Sequence, residues 1–251
     1  MACRMTLLQA LVLVAAGLVA GIASAMAGGA SVLTFPVLLA FGVSPLQANV
    51  TNTVGLAPVL VGSGLASVSE LRAQRERVLS LAIPTLLGAV AGALLLLSTP
   101  TDLFTTLAPY LLGGACLLLL VQPGAAPHAT RETGWRRWAA WGAALISGVY
   151  TGYFGAASGV LFLALVGLFT AATLHELNVV KNLLVGSANA VAMVLFALFA
   201  PVRWPMAAAL AVGALIGSAA GARLVLRVPA RRLRIGVAVI GLAVAVRLAI
   251  G

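Results

Sequence analysis

Acidic side chains are nearly missing, with 5 Asp and Glu in 251 residues, and charge of either sign makes up only 8%. A soluble domain carries about 25% charged residues. With 62% apolar side chains and a mean hydropathy of +1.14, that scarcity excludes a soluble globular enzyme. There is no GxxxxGK[ST] phosphate loop, no GxSxG nucleophile elbow and no HExxH pair, so primary pumping and hydrolysis lack their parts. The two cysteines, Cys3 and Cys116, lie far apart without a neighbouring histidine and give neither a metal spacing nor a disulfide framework. No cofactor is expected.

What charge there is has one sign. Fourteen arginines and Lys181 face Glu70, Glu76, Asp102, Glu132 and Glu176. The arginines stand at the ends of apolar runs, as topology anchors do, whereas a nucleic-acid binder concentrates them on a soluble face. The expected partners are therefore the lipid bilayer and a small anionic substrate, with no nucleic acid. Assembly into a homo-oligomer is compatible with the sequence.

Apolar runs between polar or Pro/Gly punctuation give ten helical segments, at residues 5–26, 30–42, 46–68, 78–97, 103–121, 135–151, 157–171, 175–200, 205–225 and 232–249. The first has signal-peptide features, Arg4 and Ala23-Ser24-Ala25, but apolar character resumes at once, so it reads as a retained transmembrane helix. The longest polar interruption lies at the centre. It divides the chain into a first repeat (1–122), a cytoplasmic linker (123–134) and a second repeat (135–251) of an all-α polytopic membrane protein.

Self-comparison supports the division. Ser80 to Ser98 set against Ala209 to Arg227, at an offset of 129, gives nine identities in nineteen positions, Gly88/Gly217 and Gly92/Gly221 among them. Gly21, Gly28, Ala30 and Ser31 recur as Gly148, Gly155, Ala157 and Ser158 at an offset of 127, and Asn52 pairs with Asn182 once the intervening turn is lengthened by three.

Segments two and seven are too short to cross alone: thirteen to fifteen helical residues reach about 20–23 Å, against a hydrocarbon core of about 30 Å. The chain must break inside the membrane, at Ala27-Gly28-Gly29-Ala30 and Phe154-Gly155-Ala156-Ala157. Such backbone must be buried in protein or line a watery cavity, and paired breaks in two halves point to a transporter's binding site. Counting loop arginines puts eleven on one face and three (Arg4, Arg203, Arg247) on the other. The positive-inside rule then places both termini outside, and an odd number of sides per half makes the repeats inverted.

Lys181 is the only lysine. With Asn178, Asn182 and Asn189 it follows a 3, 4, 7 spacing that puts these residues on one helical face. The first half presents Asn49, Asn52 and Thr53, with Thr51 beside them. One fixed cation, several amides and hydroxyls, and nearby helix N-termini make up the inventory of an oxyanion site. Ser31 and Ser158 would join the hydrogen-bonding shell. Gly28, Gly29 and Gly155 stand where a close backbone approach requires no Cβ. Two plainer readings stand beside this one: a lysine near a helix start snorkels to headgroups, and intramembrane asparagines serve as interhelical glue. No acid sits mid-helix to hold a coupling ion. Glu176, beside His175, reads as a helix cap before it reads as a proton relay.

The run Gly28-Gly29-Ala30-Ser31 to Phe35-Pro36, then Ala48-Asn49-Val50-Thr51-Asn52-Thr53, then Asn178-Val179-Val180-Lys181-Asn182-Leu183, resembles the sulfite exporter TauE/SafE family, also called the 4-toluenesulfonate uptake permeases. The likeness covers nearly the whole chain. It implies a secondary transporter of the bacterial inner membrane for small sulfur-containing anions such as sulfite or sulfonates. A passive anion channel and a membrane scaffold that moves nothing are the rival expectations.

Overall fold

The computed structural model describes residues 5–27, 30–59, 73–121, 134–224 and 230–250. Among them are ten helices and no strand: α1 (Leu7–Ala27), α2 (Ala30–Ala40), α3 (Pro45–Leu56), α4 (Arg75–Ser98), α5 (Thr101–Val121), α6 (Gly134–Tyr153), α7 (Ser158–Gly167), α8 (Leu174–Phe199), α9 (Trp204–Leu224) and α10 (Ala230–Ile250). Four are long and apolar enough to cross a membrane, at Leu7–Ser24, Arg75–Ser98, Thr101–Leu120 and Leu174–Phe199, and shorter apolar stretches run over Trp204–Ala220 and Ala238–Leu248. Outward faces are apolar too. Leu79, Ile83, Leu87 and Leu94 make an exposed stripe along α4, larger than a soluble surface carries and suited to acyl chains. The protein is an all-helical, multi-pass membrane protein.

Helix limits follow local chemistry. Thr173 caps α8 with a reciprocal capping box, its hydroxyl accepting from the Glu176 N–H while the Glu176 carboxylate accepts from the Thr173 N–H. Glu176 is thus a cap, as its position suggests. Ser44 occupies the same place before α3, with Pro45 at the first helical position. The third segment departs from expectation. It ends as a helix at Leu56, where Ala57 keeps helical dihedrals but Pro58 has no N–H to continue the ladder; the rest of the expected span, 60–68, lies outside the described residues. Buried hydroxyls of Thr53, Thr85 and Thr151 donate to the carbonyl four residues back, which satisfies them where water is absent.

The core is two tightly packed parallel pairs. A Cβ on Gly148 of α6 would stand 2.2 Å from the Thr85 oxygen of α4, and one on Gly88 of α4 would stand 2.3 Å from the Leu145 oxygen. The same register recurs between α1 and α9, where a Cβ on Gly21 would stand 2.5 Å from the Ala214 oxygen and one on Gly217 2.1 Å from that of Leu18. These are the positions matched at offsets of 127 and 129, so the repeat extends from sequence to packing register. Such contact needs small residues on both faces. By contrast α5 and α10 run antiparallel: Gly241 abuts Cys116 and Gly113 faces Ala245. Phe35, Phe104 and Phe154 close the centre, the Phe35 and Phe154 rings meeting edge to face at 5.4 Å.

Candidate functional site

The two short helices are α2, with 11 residues, and α7, with 10. At 1.5 Å per residue both fall well short of a bilayer. In the second half the break is a sharp turn: Gly155 has φ 73° and Ala157 φ 55°, both left-handed, after which α7 begins at Ser158. In the first half α1 ends at Ala27 and α2 starts at Ala30. Gly28 and Gly29, expected to approach the ligand, lie outside the described residues.

A cavity of about 90 Å³ opens at these breaks. The first residues of both short helices line it, Ala30 and Ser31 from α2 and Ser158 and Gly159 from α7, so two helix N-termini bring partial positive charge to one space. From α8 come Lys181, Asn182, Val185, Gly186 and Asn189, and from α3 come Thr53, Leu56 and Ala57. Because α3 and α8 start at an offset of 129, this lining is itself a repeat: Thr53 answers Asn182, Leu56 answers Val185 and Ala57 answers Gly186. Counted from the helix starts, Asn52 falls opposite Lys181, one residue from the Asn52/Asn182 match read from the sequence.

Lys181 is 5% exposed, and its ammonium donates to Asn178 Oδ1 at 2.8 Å. It faces the cavity and does not snorkel out. Among the described residues no carboxylate pairs with it. Asn178 does not line the cavity but holds the ammonium one helical turn away. Asn189 Nδ2 donates to the Val185 carbonyl, which leaves its Oδ1 beside the Gly155 turn.

Of the residues singled out in the sequence, the cavity gathers Lys181, Asn182, Asn189, Ser31, Ser158 and Gly155. Three others are buried but turned elsewhere. Asn52 accepts from the Thr34 hydroxyl, Asn49 donates to the Tyr153 carbonyl at 2.9 Å, and Thr51 accepts from the Arg203 N–H at 3.0 Å. These bonds tie α3 to α2, α6 and the start of α9, the interhelical glue expected of such residues. Thr53, named in the sequence with Asn49 and Asn52 though not among the residues expected to bind substrate, also lines the cavity, and sequence reasoning left Ser24 and Gly186 out. Thr53 carried a signal, its place one turn past Asn49 on the same face; Ser24 and Gly186 carried none beyond small size.

A polar-lined space at two helix breaks, inside a bundle with apolar outer faces, defines a class: a helical multi-pass membrane transporter. The family model described as Sulfite exporter TauE/SafE matches residues 13–248, and the chain belongs to that family. It is similar to the probable membrane transporter protein ORF9 of Sinorhizobium sp, 30% identical over 243 residues that cover 93% of this chain and 89% of that one. It is also similar to the probable membrane transporter protein YfcA of Escherichia coli K12, 32% identical over 222 residues, 83% and 78% of the two chains. A probable membrane transporter protein of Haemophilus influenzae is 26% identical over 225 residues, 86% and 84% of the two.

Proposed function

We propose that the protein is a secondary transporter of a small sulfur-containing oxyanion, sulfite or a small sulfonate, moved by alternating access between two inverted repeats. The observation that carries this is Lys181: a buried ammonium with amide and hydroxyl neighbours faces a cavity, and among the described residues it has no carboxylate. An isolated buried charge is costly, and an anion in the cavity removes that cost. About 90 Å³ is some three times the share of one liquid water, about 30 Å³, and far below the roughly 300–1,000 Å³ of drug-sized ligand sites. That size favours sulfite over an aromatic sulfonate.

The geometry supports inversion. If α1–α5 and α6–α10 exchange by a two-fold rotation, α5 and α10 exchange with each other, and an antiparallel pair requires the axis to lie across them rather than along them. Polar ties between the halves obey the same exchange. At one face Arg203, just before α9, donates through Nε to Gln47 Oε1 in the first turn of α3. At the other, Gln74, just before α4, donates to Glu176 Oε1 in the first turn of α8 at 3.2 Å. Each partner lies 129 residues from its counterpart. Two equivalent latches on opposite faces are what alternating access needs.

The described acids Glu76, Asp102 and Glu176 all sit in the first turn of a helix, so none is placed mid-membrane to hold a coupling ion. An inside-negative potential drives each negative charge outward by about 2.3 kcal/mol per 100 mV, which favours export from an inner membrane with the arginine-rich face cytoplasmic and both termini periplasmic. The test is radiolabelled sulfite counterflow in proteoliposomes. Saturable counterflow is expected for the native chain, partial flux for Lys181→Arg and none above background for Lys181→Met at equal insertion. Native flux in Lys181→Met would overturn the assignment, and single-channel currents without counterflow would replace the carrier with a channel.

A further inference from the structure

A second and larger cavity, about 640 Å³, lies on the arginine-rich face between the first turns of α4 and α6 and the end of α7. Its charged lining is Arg75, Arg77 and Arg137 against the single acid Glu76. Arg77 donates to Gln74, and the Arg137 guanidinium lies 5.6 Å over the Trp141 ring, whose indole N–H is held by Ser80 Oγ at 3.0 Å. Below this cationic rim the wall turns apolar, with Leu81, Trp141 and Phe169. Trp135 and Trp138, one turn away on α6, are 64% and 70% exposed, and exposed tryptophans of this kind mark the headgroup level.

We propose that this cavity binds the phosphate group of an anionic phospholipid, its diester held by the arginine rim and its glycerol and first methylenes resting on the apolar floor. The volume is about seven times that of the Lys181 cavity, too large for a small oxyanion to fill. Guanidinium groups match phosphate oxygens in pairs, and basic pockets between helices at the cytoplasmic interface suit such headgroups. The site is separate from the transport cavity and does not depend on it.

Protein reconstituted in brominated phosphatidylcholine has its interfacial tryptophans quenched, and a lipid that occupies the site without bromine relieves the quenching. Each net positive charge near an anionic lipid is worth about a fivefold preference. Arg77 is shared with Glu176, so three arginines less Glu76 and Glu176 leave one net charge and predict that phosphatidylglycerol binds about fivefold better than phosphatidylcholine. Arg75→Gln should bring that ratio close to one, while Arg247→Gln, an equal charge loss on the exposed end of α10, leaves it unchanged. Raised salt should shrink the ratio. A ratio near one in the native protein, or an equal fall with Arg247→Gln, would overturn the proposal. Displacement of phosphatidylglycerol by millimolar inorganic phosphate would overturn the lipid assignment in favour of a soluble phosphate ligand.

Discussion

Replacing Gly148 by alanine puts a methyl group 2.2 Å from the Thr85 oxygen and 3.1 Å from the Ala89 nitrogen, both backbone atoms of α4. Neither can rotate aside, so ordinary contact near 3.4 Å is regained only by parting α4 and α6 by about 1 Å. A gap of 0.5–1 Å forfeits about a quarter to a half of the dispersion energy of the atoms it separates, and overpacking of this kind costs about 1–3 kcal/mol. Alanine returns about 1 kcal/mol through helix propensity, which leaves a net loss of about 0–2 kcal/mol, or a melting temperature lower by up to about 8 °C for a chain of this size. Gly114→Ala and Gly142→Ala supply the contrast, since a Cβ there meets nothing within 4 Å; they keep the propensity gain and should melt at or above the native temperature. The repeat adds a second demand. Gly21→Ala meets Ala214 O at 2.5 Å and Ser218 N at 2.6 Å, so it should fall with Gly148→Ala. Tryptophan fluorescence against temperature in detergent reads all four. Gly148→Ala melting above Gly142→Ala would refute the close packing, and Gly21→Ala behaving like Gly142→Ala would refute the equivalence of the two pairs.

The latches and the turn before α7 give two further predictions. With Ser158→Cys as the sole thiol, Gln74→Ala should raise its reactivity toward a membrane-impermeant reagent from the arginine-rich face, and Gln47→Ala from the opposite face. One hydrogen bond of about 0.5–1.5 kcal/mol sets the change at roughly two- to tenfold, and the latch reading fails if both variants open the same face. Ala157→Gly should stabilise the protein by up to about 1 kcal/mol despite losing a methyl group, because φ 55° strains any residue with a Cβ. A lower melting temperature for that variant would show the left-handed turn to be wrong.

Much of this was legible in the sequence because bilayer helices announce themselves by length of apolar run and by the residue before the run. The start of α8 follows from Thr173 and Glu176, and the break before α7 from Gly155 beside small residues. Lys181 facing a cavity follows from its spacing with Asn182 and Asn189. What stayed hidden depended on distant chain. Asn49 and Asn52, with Thr51 beside them, had good reason to meet substrate, yet Tyr153, Thr34 and Arg203 claim them across 18 to 152 residues of sequence. No local pattern contains those partners. The caps Ser44 and Thr173 stand 129 residues apart, one fewer than the Asn52/Asn182 match.

That register explains why the repeat is broken where it is. Ser31 and Ser158, Thr53 and Asn182, Leu56 and Val185 all keep their kind across the cavity, whereas Lys181 faces it and Asn52 does not. Two ammonium groups facing one cavity would repel each other, and a single small anion could not neutralise both. None would leave the cavity with dipoles alone and little preference for an anion over water. One lysine, with Asn52 turned away onto Thr34, places a single charge beside the axis. On the proposed function, a cavity with that single charge holds one anion and releases it when either latch opens.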